Sequence, residues 1–175
     1  MPAASRPRNA PTFQRLNVTI ANHQRKRAVD SSFLRRIVKS LLAELQIRDA
    51  ELAIQLVATP EITRLNETFL GHAGSTDVIT FDYAQHTNRN PQHSPVLHGE
   101  VFVCLDEAVV QARRFQTTWQ AEVVRYTVHG VLHLLGFDDL NPASRHKMKS
   151  AEDRWLRQLA RRFPLTRLAR RSAAS

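Results

Sequence analysis

Two histidines and an aspartate within HGVLHLLGFDD, residues 129–139, have the residue types and the spacing of a metal site. His129 and His133 are four residues apart, so on a helix they share one face, separated by about 40° and roughly 6 Å of rise. Gly136 follows where a helix that ends and turns back needs a residue that accepts a positive φ. Asp139 is three residues further on, and three extended residues span at most about 10 Å, which is enough to return to the histidines. We therefore predict that His129, His133 and Asp139 bind one metal ion.

Imidazole nitrogen and carboxylate oxygen are zinc ligands at about 2.0 to 2.2 Å, and catalytic zinc sites keep a fourth position for water. Three protein ligands thus predict a catalytic centre with one Zn²⁺, or another divalent ion, per chain. The alternative is a metal-free polar cluster in the core. The helix is apolar nearly all round, which is typical of a buried element, and buried imidazoles need partners, so the metal is favoured. The apolar residues are Val123, Val124, Tyr126, Val128, Val131, Leu132, Leu134 and Leu135.

The length of 175 residues and the hydrophobic content of 42% are typical of one globular domain. We divide the chain into a disordered N-terminal tail (1–12), a single domain (13–163) and a basic C-terminal tail that frays (164–175). The sequence contains no run of about 18 apolar residues and no apolar segment typical of a signal peptide near its start. We therefore expect a cytoplasmic protein with no membrane partner. Cys104 lies in the apolar run VFVCL and is predicted to be a buried small hydrophobe.

The formal net charge of +9 favours a polyanionic partner, because lysine and arginine on a surface release counterions from a phosphate backbone. Much of this charge lies near the two ends of the sequence. The alternative is that these residues form solvated tails that aid solubility.

Apolar periodicity places strands at about 16–22, 51–59, 76–83 and 99–105, with helices between and after them. Ser31 or Ser32 is a candidate cap for the first helix, and Asp106 is a candidate cap for the helix after the fourth strand. Asn141 is expected to cap the last helix, with Pro142 at its first position. Gly71 is expected to end the helix that Pro60 opens. The pattern predicts an α+β fold, a mixed four-stranded sheet packed with about five helices, in which the metal-binding helix (about 119–135) is central.

Helical HxxxH followed by a glycine and a third ligand is also the layout of zinc proteases of the metzincin type. Those enzymes have a glutamate directly after the first histidine as the general base, and here that position is Gly130. A glycine costs about 1 kcal/mol inside a helix and cannot carry a proton. A zinc peptidase is therefore the third candidate function, after the two that are described below. We expect Gly130 to allow the close approach of a neighbouring element.

The chain resembles the YbeY family in HGVLHLLGFDD, in the upstream LNETFLGHAGSTDVITFDY, in the HGEVFV strand, and in Met148 and Glu152. This resemblance covers roughly residues 50 to 156. The family consists of bacterial ribosomal RNA maturation factors described as single-strand-specific metallo-endoribonucleases. The resemblance implies the sheet-and-helix fold, a zinc-type ion in a basic groove, and roles in maturation of the 3′ end of 16S rRNA and in ribosome quality control. The implied partners are ribosomal RNA and, as a further candidate, a small-subunit ribosomal protein.

Two positions depart from the family pattern. The motif usually reads HGxLHLxGxDH, so Asp139 stands where the third ligand histidine is expected. Aspartate remains a competent zinc ligand, but it leaves the ion and its ligands with a charge of about +1 instead of +2. Where the family commonly has an arginine after the LNxxF segment, this chain has Leu70, and His72 is the nearest candidate replacement.

The resemblance and the spacing also give weaker candidates around the predicted ligands. Asp138 is a candidate catalytic residue that orients a ligand histidine or accepts a proton, and its alternative is a structural role in the turn. His72, Thr76 and Asp77 are candidate RNA-binding or supporting residues. The principal alternative function is a non-catalytic assembly module that binds ribosomal RNA or a ribosomal protein and uses the metal to brace its fold. The oligomeric state stays open.

Overall fold

A four-stranded mixed sheet forms the centre of the computed structural model, which describes residues 15–84 and 96–170. The strands are β1 (Arg15–Asn22), β2 (Asp49–Val57), β3 (Val78–Asp82) and β4 (Val96–Cys104). Their order across the sheet is β1-β2-β4-β3, with β1, β2 and β4 parallel and β3 antiparallel to β4. The prediction of a mixed four-stranded sheet is confirmed.

Five α-helices surround this sheet within the described ranges. They are α1 (Ser31–Glu44), α2 (Thr59–Leu65), α3 (Leu105–Phe115), α4 (Trp119–Leu134) and α5 (Pro142–Arg162). A π-helical turn (Asn66–Leu70) extends α2 to Gly71, whose φ is +66°, as predicted for the end of that helix. The α+β class and the number of helices are therefore as expected from the sequence, and no described helix is long and apolar enough to cross a membrane.

Two of the three predicted helix caps are wrong. The cap of α1 is Asp30, which accepts a hydrogen bond from Phe33 N at 2.8 Å, because the helix already begins at Ser31. Asp106 does not cap α3, since that helix begins one residue before it, at Leu105. Its carboxylate instead accepts hydrogen bonds from the backbone and hydroxyl of Thr59, both at 3.0 Å. The third cap is confirmed, because Asn141 caps α5 and Pro142 is the first residue of that helix.

Helix α4 lies at the centre of the molecule, packed on β3 and β4 and between α3 and α5. Its contact with the sheet depends on Gly130, because a Cβ atom there would lie 2.4 Å from Val101 Cγ1 and 3.3 Å from Thr80 Cγ2. Gly130 therefore allows the close approach that its sequence position predicted. His129 and His133 lie to one side of this contact on α4, toward α5 and the following turn, and both residues are only partly buried.

The C-terminal segment differs from its prediction as a fraying tail. Residues Leu165–Leu168 form a 3₁₀ helix, and Leu168 is fully buried against the core. Ala169 forms an isolated bridge with Val29. Apolar burial thus orders the first part of this segment. The predicted N-terminal tail, residues 85–95 and residues 171–175 lie outside the described ranges. Cys104 is fully buried, as expected of a small hydrophobe.

We expect Gly130→Ala to destabilise the protein by about 1 to 3 kcal/mol, because overpacking against Val101 outweighs a gain of about 1 kcal/mol in helix propensity. Urea unfolding followed by circular dichroism measures the change. Ser150→Ala, at an exposed position of α5, is the control and should be neutral or slightly stabilising. A Gly130→Ala variant as stable as the parent protein would contradict the close packing of α4 on the sheet.

Candidate metal centre

His129 and His133 bring their Nε2 atoms to within 3.0 Å of each other on successive turns of α4. The ring centres are 4.5 Å apart and the ring planes are nearly perpendicular, at 82°. Two nitrogen ligands at about 2.0 to 2.1 Å from one tetrahedral ion would be about 3.3 Å apart. The observed separation is therefore close to that of two imidazoles sharing one ion.

The end of α4 turns the chain back toward these rings. Phe137 N donates to Leu132 O at 3.1 Å and Gly136 N donates to His133 O at 2.9 Å, which is the hydrogen-bond pattern of a Schellman motif. Gly136 adopts a φ of +90°, as its position in the sequence predicted. Asp139 then approaches the histidines, and one ligand atom from each of the three residues lies within 4.8 Å of the others. The three residues predicted from spacing are thus brought together in a group that could hold a metal ion.

Hydrogen bonds fix which ring nitrogens can bind a cation. His133 Nδ1 lies 3.0 Å from the carbonyl oxygen of Phe137, which can only accept, so Nδ1 carries the proton. His129 Nδ1 lies 3.0 Å from Glu152 Oε2 and donates to this carboxylate. In neutral rings both Nε2 atoms then present lone pairs to each other, and a cation between them removes the repulsion. The donor set therefore fits a metal ion, because ligand histidines in proteins commonly donate their second ring N–H to a carboxylate or a carbonyl.

The same geometry shifts the histidine pKa values in opposite directions. Burial opposes charging of His129, but the hydrogen bond and charge of Glu152, with the charges of Asp77 and Asp139, outweigh it and raise the pKa of His129. Burial and the neighbouring His129 lower the pKa of His133. Of the two rings, His129 is therefore the one that more readily takes up a proton at Nε2, and a metal ion bound between the rings would have to displace that proton.

Glu152 is a site residue whose role the sequence reasoning missed. Its Oε2 accepts from His129 and its Oε1 accepts from Arg125 Nη1 at 2.6 Å, so both carboxylate oxygens are occupied. Arg125 also contacts Asp153 at 2.7 Å and Glu122 at 3.4 Å. A signal was available, because Glu152 follows the buried Met148 by four residues on α5. A carboxylate at such a core-facing position needs a partner.

The other predicted site residues lie outside the group of three candidate ligands. Asp138 is exposed, accepts from Leu140 N at 3.2 Å, and has its pKa lowered by the hydrogen bond with Ser144. These contacts are typical of a residue that stabilises a turn. The carbonyl of Phe137, and not the side chain of Asp138, orients the ring of His133. Thr76 and Asp77 are joined by a 3.2 Å hydrogen bond and line the cavity beside Glu152. His72 is exposed in the segment after Gly71.

The cavity that borders Glu152 has a volume of about 560 Å³ and is acidic. Its described lining includes two cations, Arg125 and Lys149, and five carboxylates. The carboxylates are Asp77, Glu107, Glu122, Glu152 and Asp153. Arg125 is already paired with three of these carboxylates. The basic groove that the family resemblance implied is therefore not this cavity, since a phosphate entering it would meet an excess of negative charge.

The fold and this His-His-carboxylate group together define an α+β protein with a candidate metal centre. A family model described as Endoribonuclease YbeY matches residues 19–160, and the chain belongs to that family. An Endoribonuclease YbeY of Chlorobium phaeovibrioides is 36% identical over 134 residues, which are 77% of this chain and 85% of the relative. The Salinibacter ruber protein of that name is 32% identical over 79% of this chain and 89% of its own length.

One solved structure supports the fold. The solution structure of TM1509 from Thermotoga maritima matches with a TM-score of 0.58 and 22% sequence identity, covering 90% of this chain and 99% of that protein. At this identity the match concerns the fold alone.

In protein freed of metal by a chelator, we expect His129 to titrate above the ordinary histidine pKa of about 6.5 and His133 below it. Protonated His129 then stabilises the fold below pH 6.5, and this contribution is lost as the pH rises through the raised pKa of His129. Glu152→Gln removes the charge and should lower the pKa of His129. Nitrogen-detected NMR titration measures both rings, with Glu51→Gln, at an exposed position of β2, as the control. Equal pKa values for the two rings would contradict the effect of the Glu152 carboxylate on His129.

Proposed function

We propose that this protein is a metal-dependent endoribonuclease that cuts single-stranded RNA, with a role in maturing the 3′ end of 16S rRNA and in ribosome quality control. One observation carries the proposal: His129 and His133 direct their free Nε2 atoms toward each other beside Asp139, in a chain that belongs to the Endoribonuclease YbeY family. The substrate and partner is then ribosomal RNA in the cytoplasm, with a small-subunit ribosomal protein as a further candidate partner.

His129, His133 and Asp139 would hold one divalent ion, with zinc as the first candidate, and leave its fourth position open. When bound, such an ion acidifies water and stabilises negative charge on a phosphate oxygen. Glu152 and the Phe137 carbonyl keep the two rings in the ligating tautomer through their Nδ1 atoms. The partly exposed face of the group lets a flexible single strand approach, whereas a rigid duplex fits such a site less readily.

Asp139 sets the charge of the centre. A carboxylate in place of a third imidazole lowers the formal charge of the loaded site from about +2 to about +1, which weakens its Lewis acidity. We expect a slower site that works best at higher pH than one with three histidines, and a preference for a harder ion than the histidine site would show.

The weaker candidates have supporting roles in this proposal. Asp77 contributes negative charge near both histidines, and Thr76 donates a hydrogen bond to its carboxylate. Asp138 is a candidate proton acceptor at the exposed edge of the turn. His72 is a candidate contact for RNA on the surface.

A non-catalytic assembly module is the second candidate function. The observation that favours it is Leu70, which is 48% exposed at the position where the family commonly has an arginine, so this cation is missing from the surface. In that case the metal would brace the turn between α4 and α5. A zinc peptidase lacks such support, because Gly130 is packed on Val101 and leaves no room for the glutamate that a peptidase needs.

We predict that purified protein cuts single-stranded RNA, that a chelator stops the cutting, and that His133→Ala reduces the rate at least 100-fold because the ion loses one of its three ligands. Gel analysis of a labelled oligonucleotide measures the rate. His146→Ala, which replaces an exposed histidine on α5, should cut at the parent rate. Cutting that survives His133→Ala would assign the activity to a contaminating nuclease and favour the assembly module.

A second prediction concerns the aspartate ligand. Parent protein should bind about one zinc ion per chain, Asp139→Ala should bind more weakly by at least about tenfold, and Asp139→His should retain the ion. The pH at which the Asp139→His variant reaches half of its maximal rate should be lower than in the parent, because its centre carries more positive charge. Metal analysis after dialysis measures the stoichiometry, with Asp138→Ala as the adjacent control. Unchanged zinc content in Asp139→Ala would remove Asp139 from the ligand set.

A further inference from the structure

Five exposed cations gather at the end of the molecule formed by α1, the last turn of α5 and the 3₁₀ helix. We call this surface the distal cationic face, and it consists of Arg36, Lys39, Arg162, Arg167 and Arg170. We propose that it binds the phosphate backbone of a folded part of the RNA substrate, while the metal centre acts on a neighbouring single strand. This inference rests on the proposed function and adds a second contact surface to it.

The packing around Phe33 joins the parts of this face. The guanidinium carbons of Arg36 and Arg167 lie 5.8 and 5.6 Å from the centre of the Phe33 ring, and the ring of Phe163 packs edge-on at 5.9 Å. Arg162 reaches from α5 to Ser40 on α1 at 3.1 Å. Cations from three separate elements are therefore held on one rigid surface.

The charge balance of this face is opposite to that of the acidic cavity beside Glu152. One depression is lined by Arg36, Lys39 and Arg162, and another by Arg167 and Arg170. Among the described residues of both linings, Asp30 is the sole carboxylate, and it is engaged in capping α1. The acidic cavity beside Glu152 repels phosphate, whereas the distal cationic face carries an excess of positive charge that can attract a polyanion.

The helical rise along α5 gives the distance between the metal centre and the distal cationic face. Glu152 contacts His129, and Arg162 is ten residues further along the helix, which corresponds to about 15 Å of rise. A folded RNA element bound at the distal end can therefore extend a strand of a few nucleotides to the metal centre.

The chemistry of the face favours RNA over a membrane. Four of its five cations are arginines, whose planar guanidinium groups pair with phosphate oxygens through two hydrogen bonds. Proteins that bind a lipid surface combine cations with exposed apolar side chains that enter the bilayer. The exposed large hydrophobic residues of the described chain lie on other elements; they are Phe69, Leu70, Tyr83, Val110, Phe115, Phe137 and Leu140.

A binding experiment on four of these cations tests the proposal. The face variant combines Arg36→Gln, Lys39→Gln, Arg167→Gln and Arg170→Gln, and leaves Arg162 in its ion pair with Glu44. The control variant removes the same charge from exposed cations that have no ion pair among the described residues: Arg25→Gln, Arg48→Gln, Arg64→Gln and Arg113→Gln. The probe is an RNA hairpin with a single-stranded 3′ tail, and its affinity is measured by fluorescence anisotropy in chelator at several salt concentrations.

We expect the face variant to bind this hairpin at least about tenfold more weakly than the parent near 150 mM salt. The slope of log affinity against log salt should become shallower by about 3, since each phosphate contact contributes about 0.7 to 0.9. The control variant should stay within about threefold of the parent affinity. Equal losses in the two variants, or parent-like binding by the face variant, would overturn the proposal, as would tighter binding of the parent to anionic phospholipid vesicles than to the hairpin.

A second measurement separates this proposal from the proposed function. With metal present, the face variant should cut a dinucleotide at the parent rate, because a substrate with a single phosphodiester bond at the metal centre is too short to reach the distal cationic face. If no variant cuts, the endoribonuclease proposal fails while the binding comparison still decides the role of the face. Circular dichroism melting verifies folding, and the double variant Arg36→Gln/Lys39→Gln, confined to the surface of α1, should show about half the change in slope if the fourfold variant does not fold.

Discussion

The separation of 3.0 Å between His129 Nε2 and His133 Nε2 is the constraint on which the functional account depends. Two lone pairs at that distance repel each other, so the arrangement requires a positive charge between them. The proton can supply this charge in the metal-free protein, and a divalent ion can supply it together with the carboxylate of Asp139. The pKa of His129 is raised by the hydrogen bond and charge of Glu152 against the effect of burial, whereas burial and the neighbouring His129 lower the pKa of His133.

The rest of the fold keeps that arrangement in place. Gly130 allows α4 to pack directly on β3 and β4, which leaves the histidine face of the helix toward α5 and the following turn. The Schellman motif at Gly136 directs the Phe137 carbonyl to one Nδ1 atom, and α5 provides Glu152 for the other. Arg125 in turn orients Glu152 by donating a hydrogen bond of 2.6 Å to its Oε1. The three candidate ligands are thus positioned by backbone geometry and by helix packing.

Local features of this centre could be predicted from the sequence because they depend on neighbouring residues. The histidine spacing, the positive φ of Gly136 and the capping of α5 by Asn141 each follow from the geometry of a few residues. The close packing at Gly130 could also be expected, since a glycine inside an apolar helix costs stability unless something approaches it. The partners of the site were harder to foresee. Glu152 meets His129 across 23 positions of the chain, and only the packing of α5 on α4 brings them together.

The predictions that were wrong elsewhere in the chain also depended on contacts that the local sequence does not show. Three residues at the start of α1 are all good caps, and local preference does not decide between Asp30 and the two serines after it. The C-terminal segment carries so many arginines that its composition resembles a solvated tail, yet burial of Leu168 fixes it against the core. The most direct test of the central claim is the zinc K-edge absorption spectrum of protein loaded with one zinc ion per chain. The account predicts two imidazole nitrogens at about 2.0 to 2.1 Å with carboxylate and water oxygens completing a four-coordinate shell. A spectrum with a single imidazole, or with six oxygen neighbours, would contradict it.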